Sequence, residues 1–184
     1  MRELLILACL TGPVLADTCP PLPDYSAEMG ALVDDIRAAP DERSAAPISG
    51  AMWEIWLRAP DAAAQETLDA GLRHRNNFNF AGAFDAFDRL IAYCPDYAEG
   101  YNQRGFTSFL RQDFAGALAD LDVALRLSPG HVGVQSGRAL TLMNLGRRDE
   151  ARAQLLEALE NNPWLSERAL LADGAPLGPQ GEDI

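Results

Sequence analysis

Residues 98–131 read AEGYNQRGFTSFLRQDFAGALADLDVALRLSPGH, and the spacing inside this stretch recurs on both sides of it. Pro95, Pro129 and Pro163 stand 34 residues apart, each just after a run ending in apolar side chains. Laid out as 64–97, 98–131 and 132–165, the chain puts Gly71, Gly105 and Ala139 in one column and Ala83, Ala117 and Ala151 in another. Phe87, Leu121 and Leu155 share a third column; Leu90, Ala124 and Ala158 share a fourth. Small residues therefore recur where two helices would cross, and a fixed period of this length marks a repeat architecture. The phrases Asn79-Phe80, Asp113-Phe114 and Leu145-Gly146-Arg147 fall midway through the units, where an antiparallel helix pair needs a short polar or glycine-bearing link.

Tyr101, Gly105, Phe114, Ala117, Ala124 and Pro129 of the middle unit resemble the tetratricopeptide repeat. The resemblance covers the three units and implies an all-α fold, a short right-handed α-solenoid of helix-turn-helix units. Thr67 and Gln135 replace the aromatic residue of that pattern, so looser outer packing is expected there, and Arg104 and Arg138 stand where it prefers leucine. One such helix pair cannot hide its own apolar face and must lean on a neighbour, so both ends of a stack need covering.

The flanks supply candidates for that covering. Met29, Leu32, Val33 and Ile36 fall at helical spacing, and a second run from about Pro47 to Arg58 carries Ile48, Met52, Trp53, Ile55, Trp56 and Leu57. The spacing predicts an N-terminal helix pair over 24–60, read as a degenerate repeat or cap, with Trp53 and Trp56 packing between it and the first repeat. Residues 166–173 read as a capping helix, and the Gly- and Pro-rich 174–184 as a disordered tail. Residues 17–23 hold three prolines and read as an extended strap. The N-terminal helix pair, with WEIW at 53–56, and the later PDYAEGYNQRG at 95–105 are similar to small exported bacterial repeat proteins.

Residues 1–16, MRELLILACLTGPVLA, have the order of a cleaved secretory signal, which predicts a periplasmic protein, with an uncleaved membrane anchor as the rival reading. Its removal leaves Cys19 and Cys94 in an oxidising compartment. Two readings stand: a Cys19–Cys94 disulfide, or a small buried Cys94 and a free thiol at Cys19.

The formal net charge is −12 and all 15 basic residues are arginine, which argues against nucleic-acid partners, whose affinity comes from positive charge set against phosphates. His74 and His131 lack ligand neighbours at helical spacing and read as surface histidines rather than metal ligands. Asp34-Asp35 and Asp120-Asp122 project in different directions and read as solvated faces. Neither a phosphate-binding glycine loop nor a nucleophile elbow occurs, so no catalytic residue, metal or cofactor is expected.

The resemblance implies a concave wall built from the first helix of each unit, on which Leu68, Leu72, Arg75, Asn102, Phe106, Phe109, Leu140 and Met143 would lie. Peptide-clamping relatives carry lysine, asparagine and arginine in this wall; Leu68, Leu72 and Gly137 stand there instead. The expectation is a non-catalytic adaptor or scaffold of the bacterial envelope that takes a partner's peptide or amphipathic helix. The alternative is a structural or self-associating protein whose groove is filled by its own N-terminal segment.

Overall fold

The computed structural model describes residues 18–179, which form eight α-helices and a terminal 3-10 helix, with no strand among the described residues. The helices are α1 (Ser26–Ala38), α2 (Glu42–Trp56), α3 (Ala62–Asn76), α4 (Phe80–Tyr93), α5 (Ala98–Leu110), α6 (Phe114–Leu127), α7 (Val132–Asn144) and α8 (Arg148–Asn161), followed by Ser166–Leu171. Helix α3 pairs with α4, α5 with α6, and α7 with α8, while α4 leans on α5 and α6 on α7. This is a short helical solenoid.

Each turn within a pair is made the same way. Phe78, Gln112 and Gly146, one period apart, all have left-handed backbone, at φ 58, 63 and 73. The next residue but one begins the second helix, and Asn79 and Asp113 accept hydrogen bonds from the Gly82 and Gly116 amides at 3.1 and 3.0 Å. A short polar side chain at this place satisfies an amide that the helix itself leaves without a partner.

Glycine decides the crossing of α3 with α4. A β-carbon at Gly71 would lie 2.3 Å from the ring of Phe87, so the aromatic ring fits only because position 71 has no side chain. Phe87 is fully buried there with Leu68, Ala83 and Leu90.

Arg104 and Arg138 replace an apolar contact with a charged clasp. Arg104 on α5 reaches back to Asp88 on α4 at 2.6 Å and forward to both oxygens of Asp120 on α6. Arg138 on α7 likewise joins Asp122 on α6 to Gln154 on α8. Asp120 is buried, so the expectation of a solvated acidic face is corrected there: the fork of Arg104 compensates a desolvated carboxylate and holds the guanidinium pKa above its ordinary value. Gln135 does not loosen the outer packing either. It is buried and bonds to the Pro129 carbonyl, Glu157 and Asn161.

The N-terminal pair departs from the stack. Helix α2 starts at Glu42, several residues before Pro47, because Asp41 caps it by accepting from the Ser44 amide at 2.8 Å. Ile36, Ala45 and Met52 bury against Val132, Trp164 and Leu165, at the start of α7 and beyond the end of α8, rather than as a further unit stacked on α3. Arg37 donates to the Glu160 carbonyl and to Asn161, and Arg168 to Glu42, while Leu57 at the end of α2 packs on the core of α3 and α4, so the pair reaches from the first repeat to the last.

Cys19 and Cys94 are joined by a disulfide with their Cα atoms 5.1 Å apart, which ties the proline-rich strap to the end of α4. The expected disordered tail is corrected for residues 174–179. Leu177 is fully buried with Leu142 and Leu155, while Arg148 and Arg152 bond the carbonyls of Pro176, Leu177 and Gly178. Burying a leucine contributes about 1.5–3 kcal/mol, part of what offsets the ordering of these residues, and the arginine bonds to their carbonyls supply more. The signal-like residues 1–16 and the last residues of the tail lie outside the described residues.

Candidate functional site

The first helices of the three pairs line a cavity of about 400 Å³. Leu72 and Arg75 come from α3, Asn102, Phe106 and Phe109 from α5, and Leu140 from α7. These six expected wall residues meet in one place because α3, α5 and α7 face the same side. Leu68 and Met143 do not join them. Leu68 is fully buried in the core between α3 and α4, and Met143 packs beside Leu142 and Leu177 on the far end. A period of 34 residues fixes which turn of the helix a residue occupies, but a rotation of a few tens of degrees decides wall or core.

Residues from outside the repeats complete the cavity. Trp53 and Leu57 of α2 form one wall and Glu167 of the 3-10 helix lies at the rim. Trp53 sits where a β-carbon at Gly133 would lie 2.5 Å from its ring, so this glycine, in the wall of α7, is its seat. The two tryptophans meet edge to face with ring centroids 5.3 Å apart, and Trp56 stacks on His131 at 3.8 Å. The tryptophans therefore pack on the third repeat, not on the first, which corrects the expectation. The clue in the sequence was a glycine at a wall position of the third unit that neither the helix nor a turn requires.

Beneath the wall lies a buried polar chain. Glu99 accepts from both Asn102 and Gln103, and from His131 Nε2 at 2.9 Å; Gln103 in turn accepts from Arg75. His131 is 1% exposed and accepts from the Val134 amide through Nδ1, so it caps α7 and is no surface histidine. Burial pushes the Arg75 guanidinium below its ordinary pKa and Glu99 opposes that shift. The Arg75 guanidinium also lies 4.9 Å from the Phe106 ring centre. Asn102 thus lines the cavity with its amide already committed to Glu99, while Phe106 stands 43% exposed beside the polar edge formed by Asn76 and Glu167. Burial likewise raises the Tyr97 phenol, whose hydroxyl donates to the Trp56 carbonyl.

The tetratricopeptide repeat profile matches residues 109–172. A TPR repeat-containing protein of Rhizobium etli is 38% identical over 64 residues, covering 35% of this chain and 31% of the relative. The chain carries tetratricopeptide repeat sequence over residues 109–172. Tetratricopeptide repeat protein 36 of Xenopus tropicalis is 34% identical over 102 residues, 53% of this chain and 50% of its own. The chain therefore spans between about a third and a half of these curated relatives. Among solved structures, the first tetratricopeptide domain of Spaghetti bound to an HSP90 peptide superposes with a TM-score of 0.56 at 21% identity, covering 58% of this chain and 84% of that one. The TPR2B domain of yeast Sti1 in its Hsp70 complex gives 0.55 at 23%, covering 60% and 91%. Among the described residues no three His, Cys, Asp or Glu side chains group as metal ligands, and no helix is long and apolar enough to cross a membrane.

Proposed function

We propose that this protein is a non-catalytic interaction module of the bacterial cell envelope that takes a short apolar segment of a partner protein in the cavity between α2, α3, α5 and α7. The carrying observation is a mostly apolar lining, Leu72, Phe106, Phe109 and Leu140, backed by a polar chain in which Glu99 is bonded by Asn102 and Gln103. Two structural neighbours are complexes with chaperone peptides, which supports peptide capture as the use of such a wall. A cavity of about 400 Å³ suits one or two bulky side chains better than a whole helix, because α2 already occupies part of the concave side. Placement in the periplasm is supported by the signal-like residues 1–16 and by the disulfide.

Replacing Phe106 and Phe109 with glutamate puts charge into the lining and leaves the core residues untouched. Affinity capture from cells is expected to lose its specific partner with this variant; an unchanged partner set overturns the groove reading. The mass of the mature protein from a periplasmic fraction, starting at Asp17, checks the export reading.

A second reading, a structural role with the groove filled by the chain itself, is favoured by one observation: Trp53 and Leu57 already form a wall of the cavity. Sedimentation velocity separates the two, since concentration-dependent assembly without a captured partner supports this second reading.

A further inference from the structure

A second cleft, of about 700 Å³, opens on the side of the molecule where the repeats join. Its walls are the strap and α1 on one side and the loops after α4 and α6 with the end of α8 on the other. The floor is apolar, with Met29, Val33 and Trp56, and Leu22 and Leu127 stand at 41% and 38% exposure on opposing walls.

The charges around it are unbalanced. Asp24, Asp34, Asp96 and Glu99 line it against only two guanidiniums, Arg37, which bonds the Glu160 carbonyl and Asn161, and Arg58, which lies over the Tyr25 ring at 4.9 Å. Asp24 is held by the Ser26 amide and Glu99 by the buried chain under the groove. Two rim carboxylates, Asp34 and Asp96, stand exposed at its edge. Asp96 has no hydrogen-bond or ion-pair partner among the described residues, and Asp34, with an 83% exposed side chain, has only a long ion pair with Arg37 at 4.0 Å. The sequence as a whole carries a formal charge of −12.

We infer that this cleft is a docking site for a basic protein segment in which an aliphatic or aromatic side chain neighbours arginine or lysine. The apolar side chain enters between Leu22 and Leu127, and the cation meets Asp34 and Asp96 at the rim. Charge complementarity selects this occupant: an acidic segment would be repelled by the excess of carboxylates around the cleft, and a neutral one would leave them unused. The site is separate from the concave cavity and does not rest on it. The disulfide pins the strap that forms one wall, so the cleft keeps its shape without a ligand.

The test uses the whole oxidised protein and two fluorescein-labelled peptides, one alternating leucine with arginine and one alternating leucine with glutamate. Fluorescence anisotropy is expected to show binding of the arginine peptide alone, weakening as salt is raised. Asp34→Lys with Asp96→Lys, both exposed and so compatible with folding by circular dichroism, is expected to lower that affinity by about tenfold. The Phe106→Glu, Phe109→Glu variant is expected to bind the arginine peptide as the wild type does. Equal binding of the glutamate peptide, full affinity in the lysine variant, or loss of binding in the glutamate variant of the groove overturns the proposal.

Discussion

Helix pairs α1–α2 and α5–α6 have similar lengths and both bury an apolar face, yet they depend on different things. The pair α5–α6 leans on its neighbours in sequence, through small residues at the crossing and arginine clasps spaced evenly before and after it. The pair α1–α2 leans on residues more than a hundred positions away: Arg168 for Glu42, Asn161 for Arg37. Local periodicity specifies the first kind of contact. Specific, unrepeated partners specify the second.

The largest expected effect tests the repeated kind. Phe87→Ala empties the space opposite Gly71 and is expected to cost about 3–5 kcal/mol, read from the urea midpoint. Next comes the covalent tie on the unrepeated side. Cys19→Ser with Cys94→Ser opens a loop with a sequence separation of 75 and is expected to cost about 2–4 kcal/mol in the same measurement. A cost near zero would mean that the strap is redundant.

Two glycines of α7 sharpen the contrast. Gly133→Ala drives a methyl into Trp53 and is expected to destabilise by about 1–3 kcal/mol with a change in tryptophan fluorescence. At Gly137 the same methyl would be no closer than 3.7 Å to Leu121, so Gly137→Ala is expected to stabilise by up to about 1 kcal/mol through helix propensity. Equal responses at the two sites would remove the case for a built seat.

The smallest effect is in acid. Hydrogen bonds from the Ser44 amide and hydroxyl hold the Asp41 carboxyl below its ordinary value of 3.8. A depressed folded-state pKa contributes stability above the ordinary value and loses it as pH falls through the folded one. Asp61, capping α3 through the Ala64 amide and bonded by Tyr93, has the same sign. Unfolding followed below pH 3.8 is expected to show a small added loss that Asp41→Asn abolishes.

The solenoid was legible because its determinants are periodic: prolines, glycines and alanines in phase need no knowledge of distant contacts. Six of eight wall residues were legible for the same reason, while Leu68 and Met143 were lost to helix rotation. The position of α1–α2 was not legible. Gly133 as the seat of Trp53, Glu99 as the partner of His131, and the carbonyls of 176–178 as acceptors for Arg148 and Arg152 are pairings between segments that share no pattern. A run rich in glycine and proline looks unable to order, and only its neighbours reveal that Leu177 has somewhere to go.

The bridge that α1–α2 makes between opposite ends of the repeat stack also sets its count. A linear array tolerates an extra copy and frays from its tips, because each member knows only the next. Here a duplicated unit inserted between α6 and α7 would carry α7 away from Trp53 and separate Glu42 from Arg168. Evolution can lengthen an open spiral by copying; this one is closed like a clasped bracelet, and three links are what the clasp fits.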